Sequence, residues 1–257
     1  MKASTLARVI TLLASRPQVF ISGTKYLFII AHMRSYSSLL AHIIGSHPKI
    51  VGHGERHCSY LHNSDLVRLR YHTYLETNRI PTGYFLDKIL HNNYVLSDKI
   101  IRRKDVRFIV LLREPEPTFK SMIKLGRSGR DGNYCDPFWI LDYYESRLHN
   151  MEDYVAKARA PILFIDSEDI IQNTPTVMNT LKGWLDLKTQ LNSEYKLFPD
   201  TGMAGRGDSS DNIKAGKVLV SELRNSQDVD IPSSILTQAT KHYNRCRQFL
   251  RERCKNV

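Results

Sequence analysis

The sequence has no apolar run long enough to cross a bilayer as a helix, which would take about 20 residues. Its nearest approach, VITLLA close to the N-terminus, is bracketed by Arg8 and Arg16, which is too short for a span and poor for a signal peptide. Cys58, Cys135, Cys246 and Cys254 form no CxxC pair and no Cys/His spacing of the zinc type. Neither a disulfide scaffold nor a metal site is therefore expected, and the thiols read as reduced and structural. No block of five like charges marks a tail, and there is no internal repeat or low-complexity segment. The phosphate-loop motif GxxxxGK followed by Ser or Thr is also missing, which disfavours a magnesium nucleotide triphosphatase or a nucleotide kinase. A cytoplasmic protein without a membrane partner is the expectation.

What is present fits one core. The 257 residues are 42% hydrophobic, enough for a single domain over 1–257. Lys and Arg number 37 against 26 Asp and Glu, a formal charge of +11 that attracts an anionic ligand without specifying which. Leu6, Val9, Ile10 and Leu13 follow the stripe of an amphipathic helix, so residues 1–24 read as a helical extension.

Strand and helix periods then alternate. Tyr26 to Ala31 (YLFIIA) predicts a buried strand, followed by a loop and a helix ending near Pro48. A short KIV strand leads to Glu55, a polar helix covers 65–76, YFLDKIL resumes the strand pattern and another short helix follows. RFIVLL (107–112) predicts a strand and Pro115 opens a helix stopping at Gly126. Asp136 and Pro137 begin a long helix reaching about Arg159, PILFID is a strand, and 174–187 is a helix. Residues 200–217 are rich in Gly and lack a period, which reads as a surface loop. Residues 231–254 predict one or two helices. Such alternation implies an α/β three-layer sandwich, a central mainly parallel sheet flanked by helices.

The turn HMRSYSS, between strand and helix, gathers backbone amides and the positive end of a helix dipole at one point, which suits an anion. Arg34, Ser37 and Ser38 add a delocalised charge and hydroxyl donors. The alternative is that the serines only cap the helix while Arg34 faces solvent.

The run FIIAHMRSYSSLLAHIIGSHPKIVGHGE resembles the 5′-phosphosulfate loop of sulfotransferases that use 3′-phosphoadenosine-5′-phosphosulfate (PAPS), a layout shared by bacterial and tyrosylprotein-type members. RFIVLLREPEPTFKSMIKLG is similar to the family's 3′-phosphate motif, with Arg113 ending a strand and Ser121 eight residues later. The resemblance spans roughly 25–220 and implies a P-loop-like nucleotide-binding fold, PAPS as donor, 3′-phosphoadenosine-5′-phosphate (PAP) as product and no metal. It implies that Arg34, Ser35, Tyr36, Ser37 and Ser38 cradle the phosphosulfate, that Lys88 reaches it, and that Arg113 and Ser121 hold the 3′-phosphate. It also implies that Glu55, after the His-Pro and 21 residues beyond Arg34, is the general base, with His53 second in rank because some members use a histidine. Lys214, Gly216 and Lys217 resemble a loop that folds over the nucleotide. PILFIDSEDIIQNTPTVMNTLKGWLDL resembles an architectural segment of the family. Many members have Gly where this chain has Tyr36. Because tyrosine resists positive φ, either the turn works without a Gly there or Tyr36 serves another purpose, such as facing the acceptor.

The expected partner is a small-molecule acceptor hydroxyl or amine, with no nucleic acid. Its pocket is expected among 56–83 and 127–150, where Tyr60, Tyr71, Tyr74, Tyr134, Phe138 and Trp139 are either lining or core. A homo-oligomer is left open. The competing reading is a nucleotide kinase or a non-catalytic nucleotide- or RNA-binding protein, the latter using the +11 charge and distinguished by steep salt dependence.

Overall fold

A computed structural model of the chain describes residues 11, 12, 14–21, 23–203, 208, 210–219 and 229–257. Leu6, Val9, Ile10 and Leu13 of the expected N-terminal stripe, and residues 204–207 and 209 of the Gly-rich loop, lie outside the described residues. Six strands form one sheet: β1 (Lys25–Ala31), β2 (Ile50–Val51), β3 (Tyr84–Ile89), β4 (Val106–Leu112), β5 (Ile162–Asp166) and β6 (Lys255–Asn256). Their order is β2-β3-β1-β4-β5-β6, and every neighbouring pair is parallel. The helices are α1 (Gln18–Ile21), α2 (Ser37–Gly45), α3 (Asn63–Thr77), α4 (Asp98–Ile101), α5 (Pro115–Arg127), α6 (Pro137–Lys157), α7 (Asp169–Gln172), α8 (Thr174–Trp184) and α9 (Ser233–Arg253).

The sheet is central because its strands are apolar on both faces. In β1, Tyr26, Phe28 and Ile30 point into one core with Phe119, Met122, Leu148 and Met151 from α5 and α6 and Leu250 from α9. Leu27, Ile29 and Ala31 point into the other with Leu40, Ile43 and Ile44 of α2 and Val177, Met178 and Leu181 of α8. This is a three-layer α/β sandwich. Residues 231–254 hold one helix, α9, and the chain then adds β6, a two-residue edge strand beside β5 that is too short to show a period. Arg70, buried on α3, donates to Tyr26 Oη at 2.6 Å and to the carbonyl of Phe20 at 2.9 Å, which docks α1. No described helix is long and apolar enough to cross a membrane.

From β1 the chain passes to β2 and β3 on one side and then crosses to β4, β5 and β6 on the other. The strand order therefore reverses at β1, the place where open parallel sheets leave a crevice at their carboxyl ends. The helix α6 fixes that crevice from behind. Arg147, 0% exposed, donates to Ala31 O at 2.9 Å, to Ile89 O and to Asn150 Oδ1 at 2.9 Å. Tyr143 Oη accepts from Met33 N and donates to Leu90 O, both at 2.8 Å, while Tyr144 Oη donates to Arg113 O at 2.7 Å. One helix thus satisfies the last carbonyls of β1 and β3 and the first beyond β4, groups that would otherwise be buried without partners.

Candidate functional site

The turn between β1 and α2 is built around a buried histidine. His32 Nε2 accepts from Arg113 N at 3.0 Å, so the ring proton resides on Nδ1, which donates to Met33 O at 2.8 Å. Burial, the largest influence, pushes the His32 pKa down to about 3. Ser35 Oγ donates to His32 O at 2.7 Å, and Ser167 Oγ to Ser35 O at 2.9 Å. Arg34 and Tyr36 both take left-handed backbone, at φ 63° and 59°. The expectation that a tyrosine would avoid positive φ is thus corrected. Tyr36 adopts it, and its ring lies under the Arg113 guanidinium at 4.2 Å while its hydroxyl accepts from Arg113 Nη2 at 2.7 Å. These contacts offset a backbone cost of order 1 kcal/mol. Tyr36 precedes α2 without any side-chain cap, leaving the first-turn amides of the helix open to an anion.

A cleft of about 530 Å³ opens over this turn, lined by residues 33–39, Glu55, His57, His91, Arg113, Ser121, Arg130, Tyr134, Asp208 and Lys217, among others. It brings together most of the residues expected from sequence, with some rearranged. Ser121 Oγ accepts from Arg34 Nε at 2.8 Å, whereas Arg113 donates from Nη1 to Arg34 O at 2.8 Å and pairs with Glu168 at 3.4 Å. Lys88 is 1% exposed and does not line the cleft; its Nζ donates to Ser38 Oγ at 3.0 Å from behind. Burial first, outweighing the nearby carboxylates led by Glu55, lowers the Lys88 pKa. Lys217 lines the cleft, while Lys214 and Gly216 do not. Gly216 sits at φ 68° in a turn whose carbonyl accepts from Tyr195 N at 2.8 Å.

Glu55 reaches the cleft because Gly52, at φ 117°, passes against the Leu86 carbonyl where any side chain would collide. The Glu55 side chain is 5% exposed, and its Oε1 has no hydrogen-bond partner. His57 Nδ1 and His91 Nε2 stand 3.5 and 3.8 Å from that oxygen. His53, by contrast, is off the cleft lining. Its Nε2 meets Asp200 Oδ1 at 2.5 Å and its ring stacks on Phe198 at 3.7 Å.

Of the six aromatics considered for an acceptor pocket, only Tyr134 lines the cleft. Tyr60 and Tyr71 are core, and Phe138 is 66% exposed. Trp139 stacks on Tyr143. Sequence reasoning missed His91, on the loop after β3, and Asp208, whose carboxylate pairs with Arg34 at 3.2 Å and whose amide donates to Ser38 Oγ at 3.1 Å. Burial alone would raise the Asp208 pKa, but Arg34 and the Ser210 hydrogen bonds together hold it below the ordinary carboxylate range. An anionic side chain thus already occupies part of the cationic turn.

Beneath the site, Asp87 is fully buried, accepting from Tyr60 Oη and from the amides of Arg56 and Lys88. Burial raises its pKa to about 6, and burial lowers that of His42 to about 4. These shifts fix a sign for acid stability. Below pH ~6.5 the unfolded chain takes up protons that folded His32 and His42 refuse, costing roughly 2 kcal/mol each by pH 5. Asp87 works oppositely, binding its proton more tightly when folded and returning about 1.4 kcal/mol between pH 7 and 5. From these three groups a net loss of roughly 2.5 kcal/mol from pH 7 to 5 is expected in urea unfolding; equal stability at the two pH values would contradict these environments.

No protein-family model matches the chain, and no curated protein sequence matches it.

Proposed function

We propose that this chain is a PAPS-dependent sulfotransferase acting on a hydroxyl or amine of a small molecule. The single observation that carries the reading is the convergence, at the carboxyl ends of β1, β3 and β4, of an uncapped helix start, Arg34, Arg113, Ser121 and the buried ammonium of Lys88 around one cleft that also holds the unpartnered Glu55 carboxylate oxygen. Several cationic and hydroxyl groups around one cleft suit a ligand with more than one anionic group, as PAPS has in its 3′-phosphate and 5′-phosphosulfate.

In this reading the amides of α2, Arg34 and, through Ser38, Lys88 face the 5′-phosphosulfate, and Arg113 with Ser121 faces the 3′-phosphate. The acceptor oxygen or nitrogen attacks sulfur in line, the new bond to sulfur forms as the bond to the bridging oxygen breaks, and the acceptor proton passes to Glu55. Charge developing on the bridging oxygen is met by the Arg34 and Lys88 cations. Asp208 must leave Arg34 when the donor binds, and the Arg34 guanidinium then exchanges one charge-assisted pair for another. His53 is set aside as base because it does not line the cleft.

Calorimetric titration with PAP, AMP and magnesium ATP tests the reading. PAP is expected to bind at least tenfold more tightly than AMP, and Arg113→Ala to abolish that preference, since charge-assisted hydrogen bonds contribute about 1.5–3 kcal/mol each. Equal affinity for PAP and AMP would overturn it. Tight binding of magnesium ATP instead would favour the kinase.

A further inference from the structure

Glu55, His57 and His91 come from two different loops, those following β2 and β3, and turn their ligating atoms toward one another. One carboxylate oxygen and one ring nitrogen from each histidine all lie within 4.8 Å of one another. From these positions we infer that the three residues form a binding site for a divalent transition-metal ion of the zinc class, on the wall of the cleft.

The distances separate this from a hydrogen-bonded cluster. Charge-assisted N–H···O bonds bring their atoms to about 2.7–2.9 Å, whereas His57 Nδ1 and His91 Nε2 stand 3.5 and 3.8 Å from Glu55 Oε1. Metal bonds of about 2.0–2.2 Å in a tetrahedral arrangement place neighbouring ligand atoms about 3.3 Å apart, and the two spacings to Glu55 Oε1 are closer to that than to a charge-assisted hydrogen bond. The Glu55 side chain is 5% exposed and Oε1 is buried without a hydrogen bond, an arrangement that is costly for a carboxylate unless a cation completes it. His57 takes positive φ, at 49°, the kind of local strain that persists where a side chain must be aimed. It is also 41% exposed, which gives an ion a route in. Two imidazoles and one carboxylate suit zinc, cobalt or iron over magnesium or calcium. Three protein ligands leave a fourth position open to the cleft.

This departs from the sequence expectation of no metal, because the third ligand is distant in the chain and no short spacing betrays it. The site stands independently of sulfuryl transfer. An ion on Glu55 Oε1 competes with the acceptor proton for that oxygen.

Cobalt(II) titrated into the full chain tests the site by its visible absorption. One saturable ion per chain is expected, with His57→Ala and His91→Ala each weakening binding at least tenfold. Both histidines lie in loops, and the far-ultraviolet circular dichroism and melting temperature of each variant check that the fold is intact. Absence of saturable cobalt binding, or binding that both variants leave unchanged, overturns the proposal. PAP titration of the parent chain reads the sulfotransferase assignment separately, so a chain that binds cobalt at these histidines but shows no PAP preference fails that assignment alone.

Discussion

The Glu55→Gln variant is expected to slow sulfuryl transfer by about 10²–10⁴-fold, the usual contribution of a positioned general base, while changing PAP affinity by less than about threefold. The substitution keeps the shape of the side chain and removes only its ability to take a proton. The lone pair concerned is available in the resting structure, since Glu55 Oε1 accepts no hydrogen bond. The measurement is PAP release from saturating PAPS with phenolic, alcoholic and amine acceptors, alongside PAP titration. A variant turning over within threefold of the parent would move the base to His57 or His91, both within 4 Å of the same oxygen. Loss of PAP binding together with turnover would instead mean that Glu55 organises the donor site.

Lys88→Met is expected to move activity and stability in opposite directions. The ammonium is 1% exposed, its hydrogen bond among the described residues is to the neutral Ser38 hydroxyl, and burial lowers its pKa. A charge held this way is retained at a cost to the fold. Methionine fills similar space without that cost, so the melting temperature should equal or exceed the parent's. The transfer rate should fall by about 10²–10³-fold, the scale of removing one preorganised donor from the developing charge. A variant with normal turnover would show that Ser38 and the α2 amides suffice, while a large drop in melting temperature would make Lys88 a structural cation paired with the surrounding carboxylates.

Strands β1 to β5 were legible because each is short, largely apolar and bounded by polar turns, and β1 and β4 were placed within a residue of their observed bounds; the exposed two-residue β6 was not. The turn, Arg113, Ser121 and Glu55 were legible as a pattern of residue types at fixed spacing. The left-handed Tyr36 was not, because what stabilises it is the Arg113 guanidinium, which arrives from another strand. His91 and Asp208 were missed for the same reason: each meets its partners across the crevice and leaves no local period. Lys88 was found, but its burial was not, since the alternation of β3 does not reveal that α2 covers it. A signal existed for α6. Arg147 falls on the same helical face as Tyr144, Leu148 and Met151, all buried, and a cation on an apolar stripe points to buried carbonyls that need it.

That arginine has a kinetic meaning as well. By holding Ala31 O and Ile89 O together, Arg147 locks the turn between β1 and α2 to the loop that carries His91. The two halves of the crevice are therefore aligned when the chain folds. For the proposed reaction, the entropy of bringing the two reactants' binding groups into register would then be met on folding and not at each turnover. Under that proposal the two halves need not hinge together, and the encounter steps should be limited by ligand entry and departure of the Asp208 carboxylate.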